Sequence, residues 1–513
     1  MTQRSRVRPY HGFLLAAFPV LFLYAQNLEE GVTAADTVRP LLLTVAAATM
    51  LMAAGTLALR SAQRAGLLVS ALILLFFSYG HVLVVLEGSP VRFLARHQVL
   101  LAVWALLGLG ALAAARWAGA WLPGLTRGLN VVAGALVAMN LAIIGLDAVR
   151  SAGEPGAAAP TGGGGTVRPT GGERDVIYII LDRYAGARTL EKYYGYDNEP
   201  FLDALRERGF YVPEETWGNY PRSTHSMASS LNMTYLDHLR DQPGGDLRPL
   251  TRMYDGPRVA RFLKARGYRY VNIGTWWEVT RSDPYADVNV RLDVPSRFEQ
   301  LLWETTLLQP VSERFGWFKG STFRQTEYRR VPFQFRKIAE HAADPQPSFI
   351  FAHLLLPHDP FIFDEDGRFL RARDVRRRST QENYLGQLRY ANREVLELFD
   401  RLLAGPPEDD PIIILQSDEG PEPLGPPGRV EDWASASTAT LEQKMRILDA
   451  YHYPGVADPG LYEGITPVNS FRVLFNAYFE AGLPLLPDRT YAYRNAQDQY
   501  SFVDITERMH ATG

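Results

Sequence analysis

The sequence contains no cysteine among its 513 residues. That absence excludes disulfides, thiolate metal sites and cysteine nucleophiles, although it does not fix the redox compartment. Lysine is scarce, with five residues among 53 basic ones, so arginine supplies nearly all of the positive charge. The formal net charge of -3 is close to neutral, and it gives no basis for a nucleic-acid partner.

Charge is also missing from long stretches of the first 150 residues, although the mean hydropathy of -0.12 is ordinary for a soluble protein. Four apolar runs are each close to the ~20 residues that cross a bilayer. These runs are Pro40–Leu59, Ala65–Leu86, Gln98–Ala115 and Gly128–Leu146. A shorter run, Gly12–Ala25, contains Pro19 and could be a signal-peptide core. Because four more spans follow it, we interpret it as a retained helix and expect five transmembrane helices.

The placement of arginine sets the expected orientation of these spans. Seven arginines occupy one side of the bilayer: Arg4, Arg6, Arg8, Arg60, Arg64, Arg116 and Arg127. The loops on the other side carry Glu29, Glu30, Asp36, Arg39, Glu87, Arg92 and Arg96. We therefore expect a multi-pass protein of the inner or plasma membrane, with a cytoplasmic N-terminus and an extracytoplasmic C-terminal domain.

Three regions follow from the composition: a transmembrane anchor over residues 1–150, a flexible Gly/Pro/Ala linker over 151–173 and a soluble domain over 174–513. In the soluble domain, apolar runs of strand length alternate along the chain with segments whose apolar residues recur at helical spacing. The runs are Asp175–Leu181, Tyr268–Ile273, Pro347–Leu356 and Pro411–Gln416. This alternation predicts an α/β domain whose mostly parallel sheet is covered on both faces.

Polar side chains follow three of these strands. In parallel sheets, ligands bind at the carboxyl ends of the strands, which is where these side chains are expected to lie. Asp182 follows the first strand, a loop with His358 follows the third, and Asp418 and Glu419 follow the last. Carboxylates from separate strands would repel one another at a shared rim unless a cation lay between them. Their hard oxygen atoms, as ligands, favour Mg, Mn or Ca as the bound cation.

A candidate nucleophile lies where a turn leads into a predicted helix, in the segment that begins Pro221-Arg222-Ser223. Ser223 or Thr224 is expected at the N-cap, and either hydroxyl could simply cap the helix. Beside a metal, however, a hydroxyl at the positive end of a helix is well placed to attack phosphorus, because the helix end and the metal both lower its pKa.

Taken in order, these segments resemble the alkaline phosphatase superfamily. They are DVIYIILD (175–182), the Ser223 helix, FAHLLLPHDPF (351–361) and SDEG (417–420), with ITPVNSFR (465–472) beyond them. More narrowly, the chain is similar to membrane-anchored, sulfatase-like hydrolases and transferases such as lipoteichoic acid synthase-type phosphoglycerol transferases. That resemblance implies five transmembrane helices joined to an alkaline phosphatase-like α/β/α sandwich.

The resemblance also implies roles for single residues. Asp182 and Asp418 take the positions of metal ligands, and Ser223 that of the nucleophile and a further ligand, with Thr224 as its runner-up. His358 matches a histidine that contacts the transferred group or a second metal. His353 lies inside the preceding strand, and we expect it to reach the site less readily.

Two residues depart from the family pattern. Glu419 stands where many relatives have a metal-binding histidine; as a carboxylate ligand it would favour Mn or Mg over Zn or Ca. Arg183 stands where glycine or an acid is frequent, and it could pair with Asp182 or with a substrate phosphate. The Ser223-Thr-His-Ser context also lacks the Cys/Ser-x-Pro-x-Arg pattern that true sulfatases convert to formylglycine, which disfavours sulfate-ester hydrolysis.

Two further segments leave alternatives open. Trp276 and Trp277 follow a strand at the same rim, where they could bind a lipid headgroup or sugar, or pack in the core. The amphipathic stretch Leu301–Leu308 could lie on the membrane surface or form a partly buried helix.

We therefore predict a membrane-bound, metal-dependent phosphotransferase or phosphoester hydrolase that acts on a lipid-linked or cell-envelope substrate. The alternative is a catalytically degenerate member that serves as an envelope-assembly scaffold or binding module. The expected partners are the lipid bilayer and the lipid-linked or envelope substrate, and the sequence leaves protein partners open.

Overall fold

The computed structural model describes residues 7–28, 32–152, 174–315, 323–424, 430, 432–495 and 497–511. The chain divides into two compact units. The first unit comprises Met1–Pro155 and Val294–Gln325, and the second comprises Gly156–Asp293 and Thr326–Gly513. The predicted linker over 151–173 lies outside the described residues apart from its first two positions.

The first unit contains an N-terminal bundle of apolar helices, as predicted. Its helices are α1 (His11–Gln26), α2 (Ala34–Leu59), α3 (Ala62–Glu87), α4 (His97–Trp117) and α5 (Leu122–Ala152). Helices α2 to α5 are long and apolar enough to cross a membrane. Helix α1 has 16 residues and is therefore about 24 Å long, short of a ~30 Å hydrocarbon core.

The bundle is held together by small and branched side chains between its helices. Ala16 of α1, Ala48 of α2 and Ala65 and Val69 of α3 are almost fully buried in one cluster. Many larger apolar side chains face outwards instead, and Leu57 of α2 is 81% exposed. An apolar outer surface of this kind suits helices that are surrounded by lipid.

Residues 294–325 belong to this first unit, although they follow the soluble domain's third strand in the chain. They form α12 (Arg297–Glu304) and α13 (Leu308–Phe315). Helix α12 begins with a capping box, in which Ser296 and Glu299 each accept the other's backbone N–H at about 3 Å. Phe298 and Leu302 are buried against Val20 of α1. The amphipathic stretch Leu301–Leu308 therefore packs against the apolar helices.

A six-stranded sheet forms the centre of the second unit. Its strands are β1 (Val176–Leu181), β2 (Arg269–Ile273), β3 (Val288–Val290), β4 (Ser348–Leu354), β5 (Ile412–Gln416) and β6 (Asp449–His452). The strand order is β3-β2-β4-β1-β5-β6, and every pair is parallel except β5 with β6. The predicted mostly parallel sheet is therefore confirmed. A separate two-stranded ribbon joins β7 (Tyr491–Ala492) and β8 (Val503–Asp504).

Helices cover both faces of the sheet, which explains the continuous apolar strands. The longer ones are α6 (Ala187–Tyr194), α7 (Glu199–Glu207), α8 (Ser223–Asn232), α10 (Arg258–Lys264), α14 (Phe323–Ala342), α16 (Thr380–Leu402), α17 (Thr438–Met445) and α18 (Pro467–Phe479). The second unit also contains four short helices: α9 (Arg248–Thr251), α11 (Glu278–Arg281), α15 (Ala372–Val375) and α19 (Thr506–His510). Helix α8 begins at Ser223 with Arg222 as its N-cap, so Ser223 is the first helical residue rather than the cap.

Candidate functional site

Two carboxylate side chains and one imidazole meet at the carboxyl ends of the central strands. Asp182 follows β1, His353 is the penultimate residue of β4, and Asp418 lies two residues after β5. One potential ligand atom from each lies within 4.8 Å of the other two, and all three residues are buried. Nε2 of His353 is 3.2 Å from Oδ2 of Asp182. The group is the kind that can hold a metal ion.

The convergence follows from the register of the strands. In β4, His353 pairs with Ile180 of β1, so their side chains share one face of the sheet. Alternation then places Asp182 on that face, and the pairing of Ile180 with Gln416 of β5 places Asp418 there as well. A shift of one residue in any strand would turn its ligand to the opposite face.

His353 is therefore a site residue that sequence reasoning undervalued. Phe349, Phe351 and His353 alternate along β4, and both phenylalanines pack in the core on the face that α8 covers. The alternation was visible in the sequence, but the pairing with β1 that puts His353 beside Asp182 was not. Correcting that expectation adds an imidazole to the site.

Neighbouring side chains orient the imidazole of His353. Its Nδ1 is 3.1 Å from the Thr280 hydroxyl, and Thr280 contacts Thr275 at 3.0 Å. The ring of Trp277 packs edge-on against the imidazole, with centroids 5.7 Å apart. With Nδ1 engaged by Thr280, Nε2 faces Asp182, as in metal sites where a second partner fixes the histidine.

The electrostatics of the buried acids fit a cation. Burial, together with the charges of Asp182 and Glu419, raises the pKa of Asp418 well above its ordinary value. Burial also disfavours ionisation of Asp182, but the charges of His358, His353 and Arg183 outweigh it and hold its pKa low. Oδ1 of Asp182 and Oδ2 of Asp418 are buried without a hydrogen-bond partner in the described part of the chain. Such unsatisfied oxygens are costly unless a cation contacts them.

Ser223 lies beside this group at the first turn of α8. Its hydroxyl is near enough to Asp418 to lower the pKa of that carboxyl, against the larger effect of burial. Its backbone carbonyl accepts a hydrogen bond from the Tyr254 hydroxyl at 3.1 Å. Because the first backbone amides of a helix have no intrahelical acceptor, the end of α8 offers positive partial charge next to this hydroxyl. Thr224 follows in the same turn and is 4% exposed.

Glu419 lies next to the cluster but pairs with cationic side chains. Its Oε1 is 2.9 Å from Nζ of Lys444 and 3.3 Å from Nε of Arg183. Its Oε2 has no hydrogen-bond partner among the described residues. Lys444 is 1% exposed and also lies 5.4 Å from the centre of the Trp433 ring. Sequence reasoning missed Lys444, since a single lysine in a helix gives no signal of its partner.

Arg183 forms a left-handed turn directly after β1, with a φ of 63°. This conformation disfavours a branched or bulky residue, and such strain is typical of functional sites. The turn aims the Arg183 N–H at Oδ1 of Asp418, 3.2 Å away, while the guanidinium bonds Asp359 at 2.8 Å and Glu419. Arg183 thus pairs with Glu419 and Asp359 rather than directly with Asp182.

His358 lies on the rim of the site, in the loop after β4. Its backbone carbonyl accepts a hydrogen bond from the Gln387 side chain of α16 at 2.7 Å, which ties the loop to that helix. Its imidazole is 18% exposed and contacts the Asp359 carbonyl. The ring is close enough to lower the pKa of both Asp182 and Glu422.

A cavity of about 410 Å³ opens beside these residues. Arg183, Arg222, Glu419, Glu422 and Lys444 provide its charged lining. Three cations and two carboxylates give the lining a net positive charge, which suits an anionic group. Trp277 packs against the core, Tyr254 and His353, so its contact with the site is through the imidazole of His353. Trp276 is half-buried nearby.

The sequence of the soluble unit matches a known family. The family described as sulfatase matches residues 174–454, which are more than half of the chain. The match includes Asp182, Ser223, His353 and Asp418. No curated protein matches the sequence.

Several solved structures are similar to this chain. The C-terminal periplasmic domain of EcEptC from Escherichia coli is 13% identical, with a TM-score of 0.41, over 68% of this chain and 96% of that domain. The integral membrane protein lipooligosaccharide phosphoethanolamine transferase A from Neisseria meningitidis is 13% identical, with a TM-score of 0.37, over 90% of this chain and 94% of that protein. The phosphonate monoester hydrolase of Agrobacterium radiobacter is 13% identical, with a TM-score of 0.37, over 62% of this chain and 75% of that protein. At these values the assignment rests on the family match.

Proposed function

The chain belongs to the sulfatase family, and we propose that it is a membrane-bound, metal-dependent phosphotransferase or phosphoester hydrolase with Ser223 as its nucleophile. The observation that carries this proposal is the buried group of Asp182, His353 and Asp418, in which one oxygen of each carboxylate lacks a partner among the described residues. Ser223, at the N-terminus of α8, is near enough to influence the pKa of Asp418. The apolar helices favour a lipid-linked or cell-envelope substrate, because they hold the protein at a membrane.

We propose that Asp182, Asp418, His353 and the Ser223 hydroxyl bind the divalent cation. Compared with the ligands predicted from the sequence, this set has His353 in place of Glu419. In this proposal Glu419 instead forms ion pairs with Arg183 and Lys444. Two carboxylates and a hydroxyl favour Mn or Mg over Zn or Ca, and the imidazole nitrogen favours Mn within that pair. When bound, the cation would neutralise charge on the phosphoryl oxygens and lower the pKa of the Ser223 hydroxyl.

The reaction would proceed in two displacements at phosphorus. The Ser223 hydroxyl loses its proton to solvent as its oxygen forms a bond to phosphorus. The bond to the leaving alcohol breaks, and protonated His358 gives that alcohol its proton. The amide end of α8 and the Arg183 guanidinium stabilise the non-bridging oxygens. An acceptor hydroxyl, or water, then gives its proton to His358 as its oxygen bonds to phosphorus, and the bond to Ser223 breaks as Ser223 regains a proton from solvent. Transfer and hydrolysis differ only in that acceptor.

A test of the nucleophile compares two adjacent hydroxyls. The full chain in detergent is incubated with Mn and a phospholipid that carries a radiolabelled head-group phosphate. We expect Ser223→Ala to lower kcat by at least about 10⁴-fold, as loss of a nucleophile does elsewhere. Thr224→Ala, the matched control, should retain turnover. Turnover in Ser223→Ala but not in Thr224→Ala would transfer the role to Thr224.

A second test measures metal binding without activity. Titration calorimetry with Mn, Mg, Zn and Ca should show one site that His353→Ala weakens by at least about tenfold. His341→Ala is the control, because His341 pairs with Asp344 away from the site. Glu419→Gln should bind nearly as tightly as the wild type if Glu419 is not a ligand.

The alternative function is a degenerate scaffold or binding module. The pairing of Glu419 with Lys444 and Arg183 favours it, since the family's usual histidine ligand is replaced by a carboxylate engaged with cations. Failure to bind any of the four metals at millimolar concentration, together with no turnover, would support this alternative and reject the enzyme.

A further inference from the structure

An apolar cavity of about 710 Å³ lies within the first unit. Four of the N-terminal helices, α1 to α4, form most of its wall. The remaining wall comes from residues 302–308, at the end of α12 and the start of α13. The cavity therefore combines transmembrane helices with a segment that the chain adds much later.

The lining offers little to a polar ligand. The hydroxyls of Thr44 and Thr306 donate to backbone carbonyls one turn away, at 3.1 and 2.8 Å. The Trp104 indole donates to the Leu75 carbonyl at 2.7 Å. The cavity is open on one side, since Leu43 and Leu101 of its lining are 56% and 39% exposed. Its apolar walls favour an apolar occupant that can enter from that side. For a cavity among helices that span a bilayer, hydrocarbon is the available one.

The wall formed by residues 302–308 is built into the bundle by backbone hydrogen bonds. The Gly80 N–H of α3 donates to the Thr305 carbonyl at 2.9 Å, and the Leu307 N–H donates to the Phe76 carbonyl at 2.9 Å. Phe76 and Gly80 are four residues apart, so their groups are the pair that a regular helix joins. A Cβ at position 80 would overlap the Glu304 carbonyl and lie 2.6 Å from Cα of Thr305. Glycine therefore permits this close approach.

A cation lies beside the lining where α2 meets α12. Arg39 precedes Pro40, which lines the cavity, and its side chain is 68% exposed. Its guanidinium is 3.7 Å from Oε1 of Glu299, a loose ion pair that leaves most of its donors in solvent. An arginine fork suits phosphate, and an exposed arginine near a helix end is suited to the membrane interface.

We propose that this cavity binds one acyl chain of a phospholipid whose phosphate lies at Arg39. The chain fills the apolar space between α2, α3, α4 and residues 302–308. The lipid thereby supports the wall that those residues form. This site does not depend on the proposed phosphotransfer, since it involves none of the residues assigned to that reaction.

Photolabelling tests the proposal on the full chain in phosphatidylglycerol vesicles. The probe is a trace phospholipid with a diazirine near the end of one acyl chain, and adducts are mapped by peptide mass spectrometry. We expect adducts to concentrate on peptides that carry the lining residues. Ala47→Phe places a ring in the cavity, and the exclusion of two buried methylene groups corresponds to about tenfold less labelling. Leu57→Phe, on the outer surface of the same helix, is the matched control and should label as the wild type does.

A second pair of probes tests Arg39. Arg39→Gln should lower labelling by the phospholipid probe but not by a diacylglycerol that carries the same chain and no phosphate. Equal labelling of Ala47→Phe and Leu57→Phe, or adducts spread evenly over the outer surface, would overturn the acyl-chain site. Should Ala47→Phe unfold at a lower temperature than the wild type, Ala105→Phe fills the same cavity from α4 and decides the outcome.

Discussion

At the scale of single residues, the contacts of Lys444 set the electrostatics around Glu419. Both side chains are almost fully buried, and each supplies the other's closest opposite charge at 2.9 Å. Their mutual attraction in a poorly solvated site offsets the cost of removing both from water only while both are present. Loss of Lys444 would leave the buried Glu419 carboxylate with Arg183, at 3.3 Å, as its remaining opposite charge.

We expect Lys444→Met to lower the free energy of unfolding by up to about 3 kcal/mol, the low end for a broken buried pair, because Glu419 keeps Arg183 as a partner at 3.3 Å. Urea unfolding followed by tryptophan fluorescence measures this difference. Lys337→Met is the control, since Lys337 forms a solvent-exposed pair with Glu340. The double variant Lys444→Met, Glu419→Gln should recover part of the loss. Equal effects of Lys444→Met and Lys337→Met would show that the buried pair is not a stabilising contact.

Asp175, at the start of β1, gives a pH-dependent prediction. Burial raises its pKa from 3.8 to about 7, although its carboxylate accepts the Ser348 N–H at 2.6 Å. The folded chain therefore keeps a proton that the unfolded chain releases. The stability associated with that proton is complete below pH 3.8 and is lost as pH rises towards about 7.

Asp175→Asn should remove this loss, because the amide oxygen can still accept from Ser348 and carries no charge. Thermal unfolding at a series of pH values from 4 to 8 measures the effect. The variant's advantage over the wild type should grow across that range and level off above about pH 7. Parallel pH profiles for the two proteins would contradict the assignment.

At the scale of elements, the sequence predicts β1, β4 and β5 to within two residues. Continuous, mostly apolar runs of five to seven residues leave little choice of structure. Their register is not visible in the sequence, because it depends on pairs such as Ile180 with His353 that are far apart in the chain. Position in the chain and resemblance therefore predict Asp182, Ser223 and Asp418 as site residues, whereas the folded sheet is needed to place His353 and Lys444 beside them.

The segment of α12 and α13 is a second case in which the sequence does not show contacts between distant parts of the chain. Its amphipathic pattern indicates an apolar face but does not say what that face contacts. The structure assigns the segment to the first unit through Gly80 and Phe76 of α3. Nothing in the sequence around Gly80 distinguishes it from the other glycines in the apolar helices.

Gly80→Ala tests the importance of that contact. The added methyl group cannot fit against Glu304 and Thr305, so we expect the two backbone hydrogen bonds to open. Hydrogen exchange by mass spectrometry should then show faster exchange in the peptide that contains Leu307. Gly110→Ala is the control, because no atom lies within 4 Å of a Cβ at that position. Unchanged exchange in both variants would show that the segment is held by other contacts.

At the scale of the whole molecule, the orientation of the helices remains a prediction from arginine placement. The cysteine-free sequence allows it to be tested with single introduced thiols. Val91, between α3 and α4, and Gly119, between α4 and α5, are both exposed. A membrane-impermeant maleimide should label Val91→Cys in intact cells, and Gly119→Cys only after permeabilisation. The reverse pattern would place the soluble domain in the cytoplasm.

The division of the chain has a practical consequence for anyone who wishes to study the soluble domain alone. The polypeptide passes between the two units three times, near residues 155, 293 and 325. A truncation that begins at residue 174 would therefore retain a segment whose apolar side chains, such as Leu302, have lost their transmembrane neighbours. We expect such a fragment to aggregate, and replacement of 294–325 by a short Gly/Ser linker to yield a more soluble one. Cutting the chain in one place does not separate units that are joined in three.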